Sequence, residues 1–289
     1  MVDLHQKLKS PFSIGKTIFP NPIWLASGTC GFGEELAECL NLNQLGGICL
    51  KGTTLEPRAG NPPPRIVETP SGILNSIGLQ NPGIHAVINQ KLPFLNQFKV
   101  PVIINFSGKT EEEYGEIARI ISEKAKNIAA LEVNISCPNV KKGGLTFGTD
   151  PASVEQVIRT VKQNANVPVI AKLTPNVTDI TTIAKAAEAG GADALSLINT
   201  VTGMAFDIKT QKPKLANGIG GLSGPAIRPI AIRMVYQVRQ CTTLPIIGIG
   251  GIATQDDIFE FFCAGADAVQ IGTMTFLDIE VLRKILDSI

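Results

Sequence analysis

Eight short apolar runs rich in β-branched residues, spaced along the chain with helical patterns between them, constrain the fold more than any other feature. They are Ile23–Ser27, Gly47–Lys51, Val102–Phe106, Leu131–Ile135, Val169–Leu173, Ala194–Ile198, Ile246–Ile249 and Ala268–Ile271. Each run is close to continuously apolar, as strands of a parallel sheet must be when helices cover both faces. Several of the intervening segments carry helix start signals. Thr110-Glu111-Glu112-Glu113 reads as a capping box ahead of an amphipathic stretch to about Lys126. Asp150-Pro151 reads as an N-cap with proline at the first helical position, and Thr254-Gln255-Asp256-Asp257 opens a helix that ends near Gly265. The pattern predicts an α/β fold, a (β/α)8 TIM barrel, with an open doubly wound sheet as runner-up. Closure is favoured by the strand number and by the lack of an early G-x-G-x-x-G. An internal echo agrees, since Ala189-Gly190-Gly191-Ala192-Asp193-Ala194 and Ala264-Gly265-Ala266-Asp267-Ala268 both run from a helix end into a strand. No linker divides the chain, so residues 1–289 are expected to form one domain.

Composition narrows the function. Twenty-six basic and 25 acidic residues leave a net charge of +1 with no basic block, which argues against nucleic acid or an anionic membrane as partner. No apolar run reaches bilayer-spanning length, and Met1 to Lys7 lacks the layout of a signal peptide, so the expected location is the cytoplasm. The six cysteines contain no C-x-x-C pair, and only His5 and His85 supply imidazole. No metal site is expected from this chain, and five of the cysteines read as small core residues. Cys137 stands apart, on a Gly- and Lys-rich loop after a strand, where a thiol can act as nucleophile or general base.

Chemistry in a barrel gathers at the carboxyl ends of the strands. Those ends carry Ser27, Lys51, Asn105, Asn134, Lys172, Asn199 and Thr200, and Asn75 in a long insertion adds a fourth asparagine. An asparagine offers both a carbonyl and an amino group, which matches the donor/acceptor edge of a pyrimidine or similar imide. Gly250-Gly251 and Gly272-Thr273 follow the last two strands, where many barrels bind phosphate with backbone amides. Two segments, 52–100 and 201–224, are too long for simple connectors and are expected to build the carboxyl-end pocket or a partner surface. Each residue also has a plainer reading. Lys51 and Lys172 can be strand-end lysines reaching solvent, the asparagines can cap backbone groups, and the Asn75 segment can be a hairpin turn.

Two motifs carry a family resemblance that extends over nearly the whole chain. Asn134-Ile135-Ser136-Cys137-Pro138-Asn139-Val140-Lys141-Lys142-Gly143-Gly144 resembles the catalytic loop of dihydroorotate dehydrogenase. Leu74-Asn75-Ser76-Ile77-Gly78-Leu79-Gln80-Asn81-Pro82-Gly83 is similar to that family's substrate-binding segment. The resemblance implies oxidation of (S)-dihydroorotate to orotate in pyrimidine synthesis. It makes Cys137 the base that removes the C5 proton while hydride leaves C6 for a flavin. It implies that Lys51, Asn75, Ser76, Ile77, Gly78, Leu79, Asn134, Asn199 and Thr200 hold the substrate. By the same resemblance Ser27, Lys51, Gly52, Asn105, Asn134, Lys172, Ile198, Gly224, Gly250, Gly251, Gly272 and Thr273 bind FMN.

A cysteine base resembles class 1 of the family, and the run from Val140 to Pro151 resembles its B-type catalytic subunit. That type implies a partner subunit carrying FAD and a two-iron, two-sulfur cluster, NAD as final acceptor, and a homodimer core within a heterotetramer. Gly52 departs from the small hydroxyl or alanine expected after the lysine. Four other readings stand beside this one. They are an A-type enzyme that reduces fumarate, a dihydropyrimidine dehydrogenase subunit, a Schiff-base aldolase built on Lys172, and a noncatalytic flavin-binding barrel.

Overall fold

The computed structural model of the protein describes residues 3–136 and 147–289. Its eight parallel strands are β1 (Ile23–Leu25), β2 (Gly47–Cys49), β3 (Val102–Phe106), β4 (Ile128–Asn134), β5 (Val169–Leu173), β6 (Ala194–Leu197), β7 (Ile246–Ile249) and β8 (Ala268–Ile271). They close in chain order, with Val269 opposite Ile23 where β8 meets β1. The (β/α)8 barrel expected from the spacing is therefore the fold. Two strand ends fall two residues earlier than the apolar runs suggested, at Leu25 and Cys49, and Ser27 and Lys51 beyond them line the carboxyl-end cavity.

Each strand contributes one residue to an apolar layer inside the barrel: Trp24, Cys49, Ile103, Ala130, Ile170, Ala194, Ile247 and Ala268, all fully buried. Alanine on three strands makes room for the indole, the alternation of large and small that a tapering barrel requires. An antiparallel hairpin, Phe12–Ile14 with Thr17–Phe19, supplies Phe12, Ile14 and Phe19 to this layer, the Phe19 ring lying 4.4 Å from that of Trp24. A second, larger core lies between the strands and the surrounding helices and includes Tyr114, Ile158, Val235 and Phe261.

The helix signals act largely as read. Thr110 accepts from the Glu113 N–H at the start of Glu111–Lys124, while the Glu113 carboxylate accepts from Lys109, one residue before the cap. Asp150 caps Pro151–Asn164, and Thr254 with Asp257 forms a reciprocal capping box on Gln255–Ala264. The repeated Ala-Asp-Ala has a common physical role. Asp193 accepts from the Val169 N–H at 2.7 Å and donates its own N–H back to the Val169 carbonyl at 2.8 Å. Asp267 repeats this with Ile246, at 2.8 Å in both directions. Lys162 and Arg239 pair with the two carboxylates. Each aspartate thus clamps the first residue of a neighbouring strand at the amino-end face, the face of the barrel concerned with stability.

Both long insertions enter one four-stranded antiparallel sheet, ordered Val201–Met204, Ile219–Ser223, Gly72–Asn75, Ile66–Thr69. Asn75 pairs with both Ile66 and Gly221, so it ends a central strand of this sheet rather than standing in a hairpin turn. The expectation that five cysteines are core residues needs correction. Cys30 and Cys49 are buried and Cys241 is half-buried, but Cys39 and Cys263 are exposed. Cys263 lies on the helical face opposite Ile258, Phe261 and Phe262, and Cys39 follows the short helix Glu34–Ala37. No helix among the described residues is long and apolar enough to cross a membrane.

Replacing Asp193 with alanine removes a charge-assisted bond to a strand N–H and one partner of an ion pair. The expected cost is about 1–3 kcal/mol of stability in denaturant unfolding, with ligand binding at the opposite end of the barrel unchanged. A loss of binding without loss of stability would contradict the assigned role.

Candidate active site

The strand ends and the insertion sheet enclose a cavity of about 530 Å³. Among the described residues, every position singled out from the sequence lines it. Ser27 follows β1, Lys51 and Gly52 follow β2, Asn105 is on β3, Asn134 ends β4, and Lys172 is on β5. Ile198, Asn199 and Thr200 follow β6. Gly250 and Gly251 follow β7, and Gly272 and Thr273 follow β8. The insertions bring Asn75 to Leu79 and Gly224 to the same space. Cys137 and the rest of its loop to residue 146 lie outside the described residues.

The cavity floor is a polar layer that periodicity alone did not disclose. Glu132, fully buried on β4, accepts through Oε1 from Cys49 Sγ at 3.1 Å, Asn105 Nδ2 at 2.7 Å and Lys172 Nζ at 3.1 Å. Its Oε2 accepts from Ser196 Oγ and Gln270 Nε2, each at 2.9 Å. Burial alone would raise this carboxyl group's pKa, but Lys172 and the surrounding donors outweigh it and hold the value below the usual one. Lys172 Nζ also donates to Ser27 Oγ at 2.9 Å, so a buried ammonium stands between Glu132 and the cavity. Lys51 has its pKa drawn down by its own burial and then by the Arg65 guanidinium. Arg65 lines the cavity beside it and was not singled out from the sequence. Burial pushes the Cys30 thiol up to about 12 and the Cys49 thiol well above its ordinary value, which leaves both inert at neutral pH.

The asparagines are fixed by their neighbours. The Asn134 carbonyl accepts from both Ser107 Oγ at 2.9 Å and Tyr114 Oη at 2.7 Å. Asn134 Oδ1 accepts from the Ser136 N–H and from Asn199 Nδ2, which also reaches Ser136 Oγ at 2.9 Å. The side chain of Asn81 accepts from the Thr54 and Gly83 N–H groups and donates to the Leu79 carbonyl, clamping the Asn75–Leu79 segment. At Gly52 a Cβ would lie 2.9 Å from Asn105 Oδ1, so the glycine leaves that oxygen clear. That oxygen is a buried acceptor without a partner among the described residues. An extended apolar run gave no sign that Glu132 faces inward among donors; only its charge in such a run could have flagged it.

At the far end, Gly251 has a φ of +74°, and a Cβ on it would lie 2.9 Å from both the Arg228 nitrogen and the Gly224 carbonyl oxygen. The turns at 224–228 and 250–251 therefore touch backbone to backbone, and glycine is required there. Asp257 accepts from the Ala253 and Thr254 N–H groups at 2.8 Å and pairs with Arg228, which holds the two turns together. Among the described residues no hydrogen bond takes up the N–H of Gly251 or Thr273. The cavity thus offers amides and an ammonium at its floor, cations at one side, and backbone donors suited to an anion at its end.

Comparison with known proteins agrees with this geometry. A family model described as dihydroorotate dehydrogenase matches residues 12–289. A Geobacillus kaustophilus protein named dihydroorotate dehydrogenase B (NAD(+)), catalytic subunit, is 58% identical over 258 residues, covering 89% of this chain and 82% of that protein. Proteins of the same name from a Geobacter species and from Listeria welshimeri are 57% and 55% identical, each covering 92% of this chain and 87% of their own length. A barrel whose strand-end residues and insertions converge in this way, matched along almost its full length, belongs to the dihydroorotate dehydrogenase family.

Proposed function

We propose that this chain is the catalytic subunit of an NAD-linked dihydroorotate dehydrogenase, oxidising (S)-dihydroorotate to orotate in pyrimidine synthesis. The observation that carries this reading is the convergence of Lys51, Asn75, Asn105, Asn134, Lys172 and Asn199 on one cavity at the carboxyl end of the barrel. The whole chain, 1–289, is read as one FMN-binding barrel domain in the cytoplasm. The name shared by the relatives, a catalytic subunit, supports a separate partner. To that partner we assign FAD and a two-iron, two-sulfur cluster, around a homodimer of this chain.

The residues present fit FMN. Asn105 Oδ1, the buried acceptor without a partner, suits the ring N–H of a flavin, and Lys172 with Ser27 offers donors on the same floor. Ile198 gives an apolar contact, and Gly224, Gly250, Gly251, Gly272 and Thr273 present backbone to a phosphate. Bound there, FMN supplies acceptance of the hydride that leaves C6 of the substrate.

The chain's own residues do the remaining work. Lys51, near Arg65, complements the substrate carboxylate. Asn75, Asn134 and Asn199 face the imide with amide donors and acceptors and Thr200 with a hydroxyl. Ser107 and Tyr114 fix the Asn134 main chain, Ser136 bonds the Asn134 and Asn199 side chains, and the Gly221 carbonyl holds Asn75. Ser76, Ile77, Gly78 and Leu79 close one wall and exclude water. Cys137 takes the C5 proton at Sγ, the general-base step. An aldolase built on Lys172 is disfavoured, since an ammonium paired with Glu132 and bonded to Ser27 is not a free amine nucleophile.

Cys137→Ser is expected to bind FMN and orotate as the parent does and to lose turnover at neutral pH by about 10²-fold or more, because a hydroxyl is a far poorer base. Steady-state turnover near that of the parent would remove Cys137 from the mechanism. Lys172→Ala is expected to weaken FMN retention about tenfold or more, the worth of one charge-assisted hydrogen bond. Fluorescence titration with FMN measures this, and full occupancy at parental affinity would contradict the role.

A further inference from the structure

Glu132 has no part in the reading above, yet it touches the residues assigned to the flavin. Donors from five other strands meet its carboxylate, and two of them, Asn105 and Lys172, line the cavity. With Asn105 Nδ2 committed to Glu132 at 2.7 Å, the amide is locked with Oδ1 as its remaining acceptor, beside Gly52 of the cavity wall. Lys172 is equally constrained, between Glu132 Oε1 at 3.1 Å and Ser27 Oγ at 2.9 Å.

Stability alone does not call for this arrangement. The layer below closes the barrel with apolar side chains, one from each strand. A buried ion pair is often no more stabilising than apolar side chains of similar volume. What the pair does provide is a site floor in which a positive charge is present but offset.

We propose that Glu132 is a positioning residue for the flavin, orienting Asn105 and Lys172 from below and offsetting the lysine's charge, so that the flavin's reduction potential is held down. The inference rests on the FMN reading given above. A cation beneath a flavin favours the negative charge that develops on reduction, and a carboxylate 3.1 Å from that cation opposes it. Glu132 acts only through its neighbours, since it is fully buried and absent from the cavity lining.

The test is anaerobic redox titration of the FMN-loaded full chain in the parent, Glu132→Gln and Glu132→Asp. Glutamine is nearly isosteric, its carbonyl can accept from Asn105 and Lys172, and its amide can donate to Gln270 Oε1, a buried acceptor without a partner among the described residues. We expect Glu132→Gln to shift the reduction equilibrium about tenfold toward reduced flavin, about 30 mV for a two-electron couple. Glu132→Asp keeps the charge and is expected to stay near the parent, although unfolding of the flavin-free protein shows both variants destabilised. A parental potential in Glu132→Gln, or an equal shift in both variants, would overturn the proposal.

Should Glu132→Gln not fold, the double variant Glu132→Gln/Lys172→Met removes both charges and is expected to restore folding. Failure of that variant as well would show that Glu132 supports the barrel independently of Lys172, which also overturns the proposal. A parent chain that takes up no FMN would instead defeat the functional reading itself.

Discussion

A carboxylate fully enclosed in a parallel barrel is costly to desolvate, and the rest of this site is arranged around meeting that cost. Glu132 lies near the middle of the barrel and is met by an ammonium, a thiol, a hydroxyl and two carboxamides. Lys172 is held in turn by Ser27, and Lys172 with Asn105 forms the floor on which a ligand would sit. The floor is therefore preorganised before anything binds, because each of these side chains would give up a buried hydrogen bond to the carboxylate on rotating away.

The barrel separates two physical tasks along its axis. At the amino end, Trp24 and the hairpin residues Phe12 and Phe19 fill the interior, and Asp193 and Asp267 clamp strand starts from below. At the carboxyl end the interior becomes polar and the insertions close over it. The four-stranded sheet couples the two insertions directly, since Gly72–Asn75 from the first pairs with Ile219–Ser223 from the second. The cavity walls built by the two insertions are thus one hydrogen-bonded unit.

Much of this could be read in the sequence. The apolar runs named all eight strands because a buried parallel strand has to be apolar on both faces, and that signature is local. The strand-end asparagines, lysines and glycines were visible because barrel topology converts a position in the chain into a position in space. The pairing of the two insertions was not visible, because sheet registers such as Asn75 with Gly221 join residues far apart in the chain. Glu132 escaped notice for a related reason: its five partners come from five different strands. Arg65 carries no motif that marks it, and Cys39 and Cys263 fall outside the core because thiols carry little periodic signal of their own. The role of Cys137 was drawn from the motif around it, and it lies outside the described residues.

If the proposed function is right, this cavity holds a flavin reducible by dihydroorotate. The direct test is the visible spectrum of the purified chain, supplied with FMN under anaerobic conditions, before and after adding dihydroorotate. Flavin absorbance that bleaches on addition is the expected result. A chain that remains colourless after incubation with FMN, or a flavin spectrum unmoved by the substrate, would contradict it.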